Sequence, residues 1–140
     1  QQIDKREVHV GDSGRPGDGM ARGPGQQAED AALALLRRAG LQLCMRNFRT
    51  QGRGGGEIDL IMREPDGTLV FVEVRSRRAG GHGGAAASID SAKRRRIVFA
   101  ARHFLARLRS TPRCRFDAVL FEGDAAPLWL RAAFDADDAF

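Results

Sequence analysis

Two neighbouring segments, Glu57–Arg63 and Thr68–Arg77, alternate apolar and polar residues on either side of a short Pro/Asp/Gly cluster. Alternation around such a cluster predicts two antiparallel strands joined as a β-hairpin. Pro65 suits the second position of a type I turn, and Gly67 suits the left-handed residue that follows it. The segment therefore predicts a tight hairpin loop with a G1 bulge.

The register that follows from this turn places like charges opposite each other. Counting outward pairs Asp59 with Glu73 and Glu57 with Arg75, so one face is apolar near the turn and charged at its far end. Opposed carboxylates destabilise a sheet. A solvated face with arginine counter-ions is one explanation, and a divalent-cation site is the other, because a cation turns the repulsion into attraction. The opposite face should contact a core, since it carries only Ile58, Leu60, Met62, Val70, Val72 and Val74.

Apolar periodicity predicts the elements on either side of the hairpin. These are a helix over Gly25–Ala39 closed by Gly40, a strand over Leu41–Arg49, a helix from Ser88 or Asp90 to about Arg109, and strands over Cys114–Phe121 and Leu128–Phe134. The glycine-rich loop 50–56 lacks the lysine and hydroxyl of a phosphate-binding P-loop. The order α-β-β-β-α-β-β predicts a single α/β domain with one mixed sheet, whose helices cover both faces or share one.

The two ends of the chain and one internal stretch are not predicted to form helices or strands. We expect residues 1–24 to be a flexible lead, with Met20 as a candidate native start, residues 25–134 to be the domain, and residues 135–140 to be a frayed acidic tail. The glycine- and alanine-rich stretch 79–87 is expected to be a mobile loop. His82 lies in it, and a solvated side chain is its simplest interpretation.

Composition narrows the classes of partner. The chain has 140 residues and a net charge of +5, which favours polyanionic partners. It has no tyrosine and one tryptophan, which argues against an aromatic platform for single strands. No run approaches the roughly 18 apolar residues of a membrane span, so we expect a soluble, cytoplasmic protein with no membrane partner. Cys44 and Cys114 are expected to be buried thiols rather than a disulfide.

The second helix carries the basic residues that bear on the charged end of the hairpin. Lys93 falls in phase with the buried stripe of that helix, between Ile89 and Ile97. Its stem could lie along the core with the amine in water, or the amine could point into a site at the charged end of the sheet. The arginines that follow Lys93 are expected to face outward, towards phosphates or towards solvent.

The motifs GEIDLI and VFVEVR, then a helix with a lysine, then RFDAV, together resemble the YraN-like family of bacterial proteins. The resemblance covers nearly all of Gly25–Phe134. That family is similar to Holliday-junction resolvases and belongs to the PD-(D/E)xK superfamily. The resemblance implies a restriction-endonuclease-like core and cleavage of DNA with Mg²⁺ or Mn²⁺, with branched or structured DNA as the candidate substrate. A homodimer is a further expectation, by analogy with related resolvases.

The resemblance also assigns roles to residues. Asp59, Glu73 and the carbonyl of Val74 would hold the metal, and Glu29 on the first helix would hold a second ion or orient water. Arg75 stands where the superfamily usually has lysine. Arginine stays protonated and cannot act as a base, although it can clamp a phosphate. Lys93 is the candidate for a lysine supplied from the following helix.

The resemblance leaves two further functions open beside the nuclease. One is a non-catalytic nucleic-acid-binding module of the same fold, which the arginine in the lysine position favours. The other is a structural or partner-binding protein whose carboxylates are only solvated. Nucleic acid, where bound, is expected to contact the basic residues around one edge of the sheet, namely Arg53, Arg77, Arg78, Arg94 and Arg95.

Overall fold

The structure is a computed structural model that describes residues 23–52, 54–78 and 89–136. In these ranges the elements follow the predicted order α-β-β-β-α-β-β. They are α1 (Pro24–Arg38), β1 (Gln42–Arg49), β2 (Glu57–Arg63), β3 (Leu69–Arg77), α2 (Ser91–Leu105), β4 (Cys114–Glu122) and β5 (Leu128–Phe134). Most boundaries agree with the sequence to within one residue, but α2 ends at Leu105 rather than near Arg109. The predicted α/β domain with one mixed sheet is confirmed.

The five strands form one sheet in the order β1-β2-β3-β4-β5. Neighbouring strands are antiparallel except for β3 and β4, which are parallel. Parallel strands need a crossover connection, and α2 lies in the chain between these two. Asp90 caps α2, since its carboxylate accepts a hydrogen bond from the backbone N–H of Lys93 at 2.9 Å. The cap therefore fixes where the helix begins and where its first-turn lysine lies.

The hairpin has the predicted turn register, but its two strands part earlier than expected. Backbone pairing runs from Arg63–Leu69 to Leu60–Val72, and the predicted pairs of Asp59 with Glu73 and of Glu57 with Arg75 do not belong to it. Beyond the last pair, the backbone N–H of Val74 donates to Asp59 Oδ2 at 2.8 Å. A side-chain carboxylate thus takes a backbone donor at the point where the hairpin opens.

The two helices pack on opposite faces of the sheet, which settles the alternative left open by the sequence. α1 packs with residues such as Leu60 and Val72, whereas α2 packs with Phe71 and Ile61. Both faces of the hairpin are therefore core where its two strands pair. Ile58 packs on the α2 side, so the prediction that it shares a face with Leu60 is wrong.

A buried acid holds the last strand on the sheet. Asp117, in the motif RFDAV, has no exposed surface and accepts hydrogen bonds from Trp129 Nε1 and from the backbone N–H of Ala132, both at 2.9 Å. Arg115 Nε also donates to it, at 3.0 Å. Ala132 has a φ of 52° at an irregularity between β4 and β5. Asp117 therefore ties β5 to β4 and takes no part in the charged end of the hairpin.

The predictions about the cysteines and about a membrane span can be compared with the structure. Cys44 is buried as predicted, but Cys114 is exposed; both are free thiols. Within the described ranges, no helix combines the length and apolar character that crossing a membrane would require. The predictions for four parts of the chain lie outside the described residues, namely residues 1–22, Arg53, the loop 79–88 with its histidine, and the tail 137–140.

Candidate active site

The open end of the hairpin forms a cleft between the two helices. Asp59 of β2 and Glu73 of β3 lie there, one position beyond the last hairpin pair. The cleft has a volume of about 340 Å³, and its lining includes Glu29 from α1, Arg75 from β3 and Lys93 from α2. The structure thus brings together all five side chains that the sequence singled out for chemistry.

Asp59 lies where the pairing of β2 is interrupted on both sides. On the β1 side, Arg46 pairs with Leu60 and Phe48 with Ile58, but Asn47 and Asp59 do not pair. Asn47 has a φ of 51°, a left-handed conformation that asparagine tolerates better than most residues. Irregularities of this kind redirect side chains and recur beside active sites. The interruption therefore frees the Asp59 carboxylate to bond Val74 and face the cleft.

Glu73 is the most deeply buried acid of the cleft, with a side chain 3 % exposed. Its Oε2 lies 3.4 Å from Lys93 Nζ and 3.4 Å from Arg75 Nη1. Its Oε1 is buried and accepts no hydrogen bond from any residue that the structure describes. A buried carboxylate oxygen without a donor is costly, so this oxygen is positioned to receive a cation.

Burial makes the two central carboxyl groups hard to ionise together. Desolvation, followed by the charge of Glu73, raises the pKa of Asp59 to about 7. Burial also raises the pKa of Glu73, although Lys93 and Arg75 act in the opposite direction. A divalent cation would replace the proton that Asp59 holds below this pKa and would stabilise both charges.

Glu29 extends the acidic lining towards α1. Its Oε1 is also buried and without a hydrogen bond within the described residues, and Arg46 Nη2 lies 3.6 Å from it. Burial and then the charge of Asp59 raise the pKa of Glu29. Arg46 is itself buried, with Nη2 2.9 Å from Asp30 Oδ1. The arginine therefore anchors the first turns of α1 beside the cleft.

Two residues of this arrangement were missed by sequence reasoning. Arg46 and Asn47 interrupt an otherwise apolar strand, and that interruption was the available signal. Arg46 is buried against α1, and the Asn47 side chain acts to lower the pKa of Glu29. Both position the third acid rather than line the cleft themselves.

The acids fit a hard divalent cation held by two carboxylates. No three His, Cys, Asp or Glu side chains within the described ranges form a group that would hold a metal ion, so the fit to a cation rests on the two carboxylates of Asp59 and Glu73. Mg²⁺ commonly takes one or two carboxylates and completes its shell with water and substrate phosphate. Asp59 and Glu73, with the donor-free Oε1 of Glu73, meet that requirement.

The predicted nucleic-acid-binding arginines fall into different environments. Arg77 and Arg78 lie at and just after the end of β3, and Arg95 is exposed on α2. The prediction that Arg94 faces outward is wrong, because its Nε donates to the carbonyl of Ile89 at 3.0 Å and its guanidinium lies 5.3 Å from the centre of the Phe134 ring. These contacts give Arg94 a structural role.

Comparison with known proteins places the same region in a family. The model of Uncharacterised protein family UPF0102 matches residues 28–121, which include every acid of the cleft and Lys93. A UPF0102 protein of Paracidovorax citrulli is 69 % identical over 115 residues, covering 82 % of this chain and 84 % of the relative. One from Polaromonas sp. (strain JS666) is 56 % identical over 134 residues, covering 90 % of each chain.

Proposed function

The chain belongs to Uncharacterised protein family UPF0102, and we propose that it is a metal-dependent nuclease that hydrolyses phosphodiester bonds in DNA. The buried carboxylate pair of Asp59 and Glu73, held open beside Lys93 in a cleft, carries this proposal. The buried oxygens of a purely structural carboxylate are normally hydrogen-bonded, whereas Oε1 of Glu73 has no donor among the residues that the structure describes. Branched or structured DNA is the proposed substrate class, by the same resemblance to resolvases.

The cofactor we propose is Mg²⁺ or Mn²⁺, held by the carboxylates of Asp59 and Glu73 and by the carbonyl of Val74. When bound, such an ion lowers the pKa of a coordinated water and offsets the charge that develops on the phosphate. The Val74 N–H bond to Asp59 fixes one carboxylate in its ligating orientation. Glu29, which lies outside the pair, is placed to orient a water or to help hold a second ion.

The two cations of the cleft, Lys93 and Arg75, have different roles in this proposal. Lys93 Nζ, at 3.4 Å from Glu73, remains close enough to donate to a phosphate oxygen or to the attacking water. Arg75 is 35 % exposed, and its planar guanidinium suits a phosphate but cannot accept a proton. In this proposal Lys93 positions the attacking water and neutralises the scissile phosphate, as the lysine of the PD-(D/E)xK superfamily does. Arg75 holds the substrate phosphate.

An endonuclease assay with duplex, flap, single-stranded and four-way DNA in Mn²⁺ tests the proposal. We expect cleavage by the parent chain, and a loss of at least about a hundredfold in Lys93→Ala and in Asp59→Asn, because each removes a group that acts at the phosphate. Arg38→Gln is the matched control, since it removes a surface charge at the far end of α1. Circular dichroism of each variant is the check that the substitution has not unfolded the protein.

The same assay decides between the nuclease and a non-catalytic binding module. The presence of Arg75 in place of lysine is the observation that favours the module. DNA binding without cleavage on any substrate would establish the module and reject the nuclease. Cleavage by Lys93→Ala at the parent rate would reject the lysine's role and leave Arg75 as the sole cation at the phosphate.

A further inference from the structure

A second cleft adjoins the first and shares Lys93 with it. This cleft, of about 270 Å³, lies between α2 and the glycine-rich loop that joins β1 to β2. Its charged lining consists of Arg49, Glu57, Lys93 and Arg96. The backbone of the glycine-rich loop, including Gly55 and Gly56, forms the rest of its wall.

The two clefts have opposite charge. The first is lined by Glu29, Asp59 and Glu73 against Arg75 and Lys93, an excess of one acid when all are ionised. The second is lined by three basic side chains against Glu57, whose Oε2 is 3.4 Å from Arg49 Nη2. An acidic cleft suits a cation, whereas a basic one suits an anion. Charge complementarity therefore favours an anion such as a phosphate in the second cleft.

The loop that walls the second cleft is closed at its base by hydrogen bonds and lies directly against α2. Thr50 Oγ1 accepts a hydrogen bond from the Gly56 N–H at 2.6 Å, and the Thr50 N–H donates to the Gly56 carbonyl at 3.0 Å. A side chain at position 56 would put its Cβ 1.9 Å from the Arg96 carbonyl, so glycine permits the contact with α2. The wall is thus held at a set distance from the arginine of the cleft.

We propose that the second cleft binds a non-scissile phosphate of the same nucleic-acid strand whose scissile phosphate lies at the carboxylates. The inference rests on the proposed function for the position of the scissile phosphate. Lys93 lies between the two sites, so a strand passing from one cleft to the other runs along its amine. Arg96 is exposed and reaches the phosphate from α2, while Arg49 reaches it from β1. Arg96, which sequence reasoning left among the outward-facing residues, becomes a substrate-positioning residue.

Fluorescence anisotropy with labelled single-stranded and duplex DNA in EDTA tests the inference apart from catalysis. At about 0.1 M salt we expect Arg96→Gln to weaken binding several-fold, and to reduce the slope of log affinity against log salt by about 0.7 to 0.9, the value of one phosphate contact. Arg49→Gln provides a second variant on the other wall, with the same expected direction. Arg38→Gln is the matched control, because it removes an exposed arginine about 14 Å along α1 from Glu29.

The outcomes separate this inference from the nuclease proposal. Equal affinities and slopes for Arg96→Gln and Arg38→Gln, or no DNA binding by the parent chain, overturn the phosphate cleft. Weaker binding by Arg96→Gln supports it even where no substrate is cleaved, in which case only the nuclease proposal fails. Where the parent chain cleaves DNA, Arg96→Gln should raise KM several-fold and leave kcat within about twofold, since it acts on binding away from the reacting phosphate.

Discussion

At the scale of single residues, the ionisation of Asp59 links the cleft to pH. Burial and the neighbouring Glu73 raise its pKa to about 7, whereas an aspartate in the unfolded chain titrates near 3.9. The folded protein therefore binds this proton more tightly than the unfolded one. The free energy of unfolding should fall as pH rises from about 4 through about 7, as far as this group contributes.

The same proton should compete with a metal ion. We expect Mn²⁺ to bind at least about tenfold more weakly at pH 5.5 than at pH 8, because at the lower pH Asp59 must lose a proton before it can ligate. Isothermal titration calorimetry at the two pH values measures this. Asp66→Asn is the control, since Asp66 lies in the hairpin turn away from the cleft. Equal affinity at both pH values, or an unchanged affinity in Asp59→Asn, would contradict a metal site at this carboxylate.

At the scale of elements, the position of α2 depends on Gly56. A Cβ there would come 1.9 Å from the carbonyl oxygen of Arg96 and 2.8 Å from its carbonyl carbon. Both are backbone atoms, so they cannot move away by a side-chain rotation. Gly56→Ala must therefore displace α2 or the loop. We expect it to lower the free energy of unfolding by about 1 to 3 kcal/mol, the usual range for overpacking, as measured by urea denaturation.

Gly25→Ala is the matched control for that substitution. Gly25 lies in α1, and a Cβ there would meet no atom within 4 Å. Alanine favours the helix over glycine by up to about 1 kcal/mol, so this variant should be as stable as the parent or slightly more so. Gly56→Ala should then lower the free energy of unfolding, whereas Gly25→Ala should leave it unchanged or raise it slightly. A parent-like stability for Gly56→Ala would mean that the loop and α2 separate easily.

Much of the element structure could be predicted because it depends on local chemistry. Pro65 and Gly67 set the turn, and the pairs nearest to it form as expected. Asp90 and Gly40 mark helix ends in the same local way. The phase of Lys93 in its helix left two positions open for its amine, in water or at the charged end of the sheet, and the structure shows the amine beside Glu73.

The parts that could not be predicted depend on contacts between distant segments. Where the hairpin opens early, Asn47 on β1 is left-handed and the Val74 N–H donates to Asp59. Alternation alone could not foresee these, and it therefore assigned Ile58 to the wrong face. The inward turn of Arg94 requires the Phe134 ring from β5. Each of these features arises from tertiary packing and not from the periodicity of one segment.

At the scale of the whole molecule, a chain of net charge +5 carries an acidic cleft beside a basic one. The overall charge and the second cleft attract a polyanion. In the proposed function, the acids Glu29, Asp59 and Glu73 repel the scissile phosphate at the first cleft. Substrate binding and cation binding should therefore be coupled, each favouring the other by the same factor.

This coupling gives the last prediction. Ca²⁺ takes carboxylate oxygen ligands as Mg²⁺ does, so adding it should tighten DNA binding by the parent chain several-fold relative to EDTA at equal ionic strength. The double variant Asp59→Asn/Glu73→Gln should bind DNA in EDTA about as tightly as the parent does with Ca²⁺, and should gain nothing from the cation. Fluorescence anisotropy measures all four affinities. If Ca²⁺ tightened binding equally in both proteins, the cation would act on the DNA or on another surface, and the two carboxylates would not be its site.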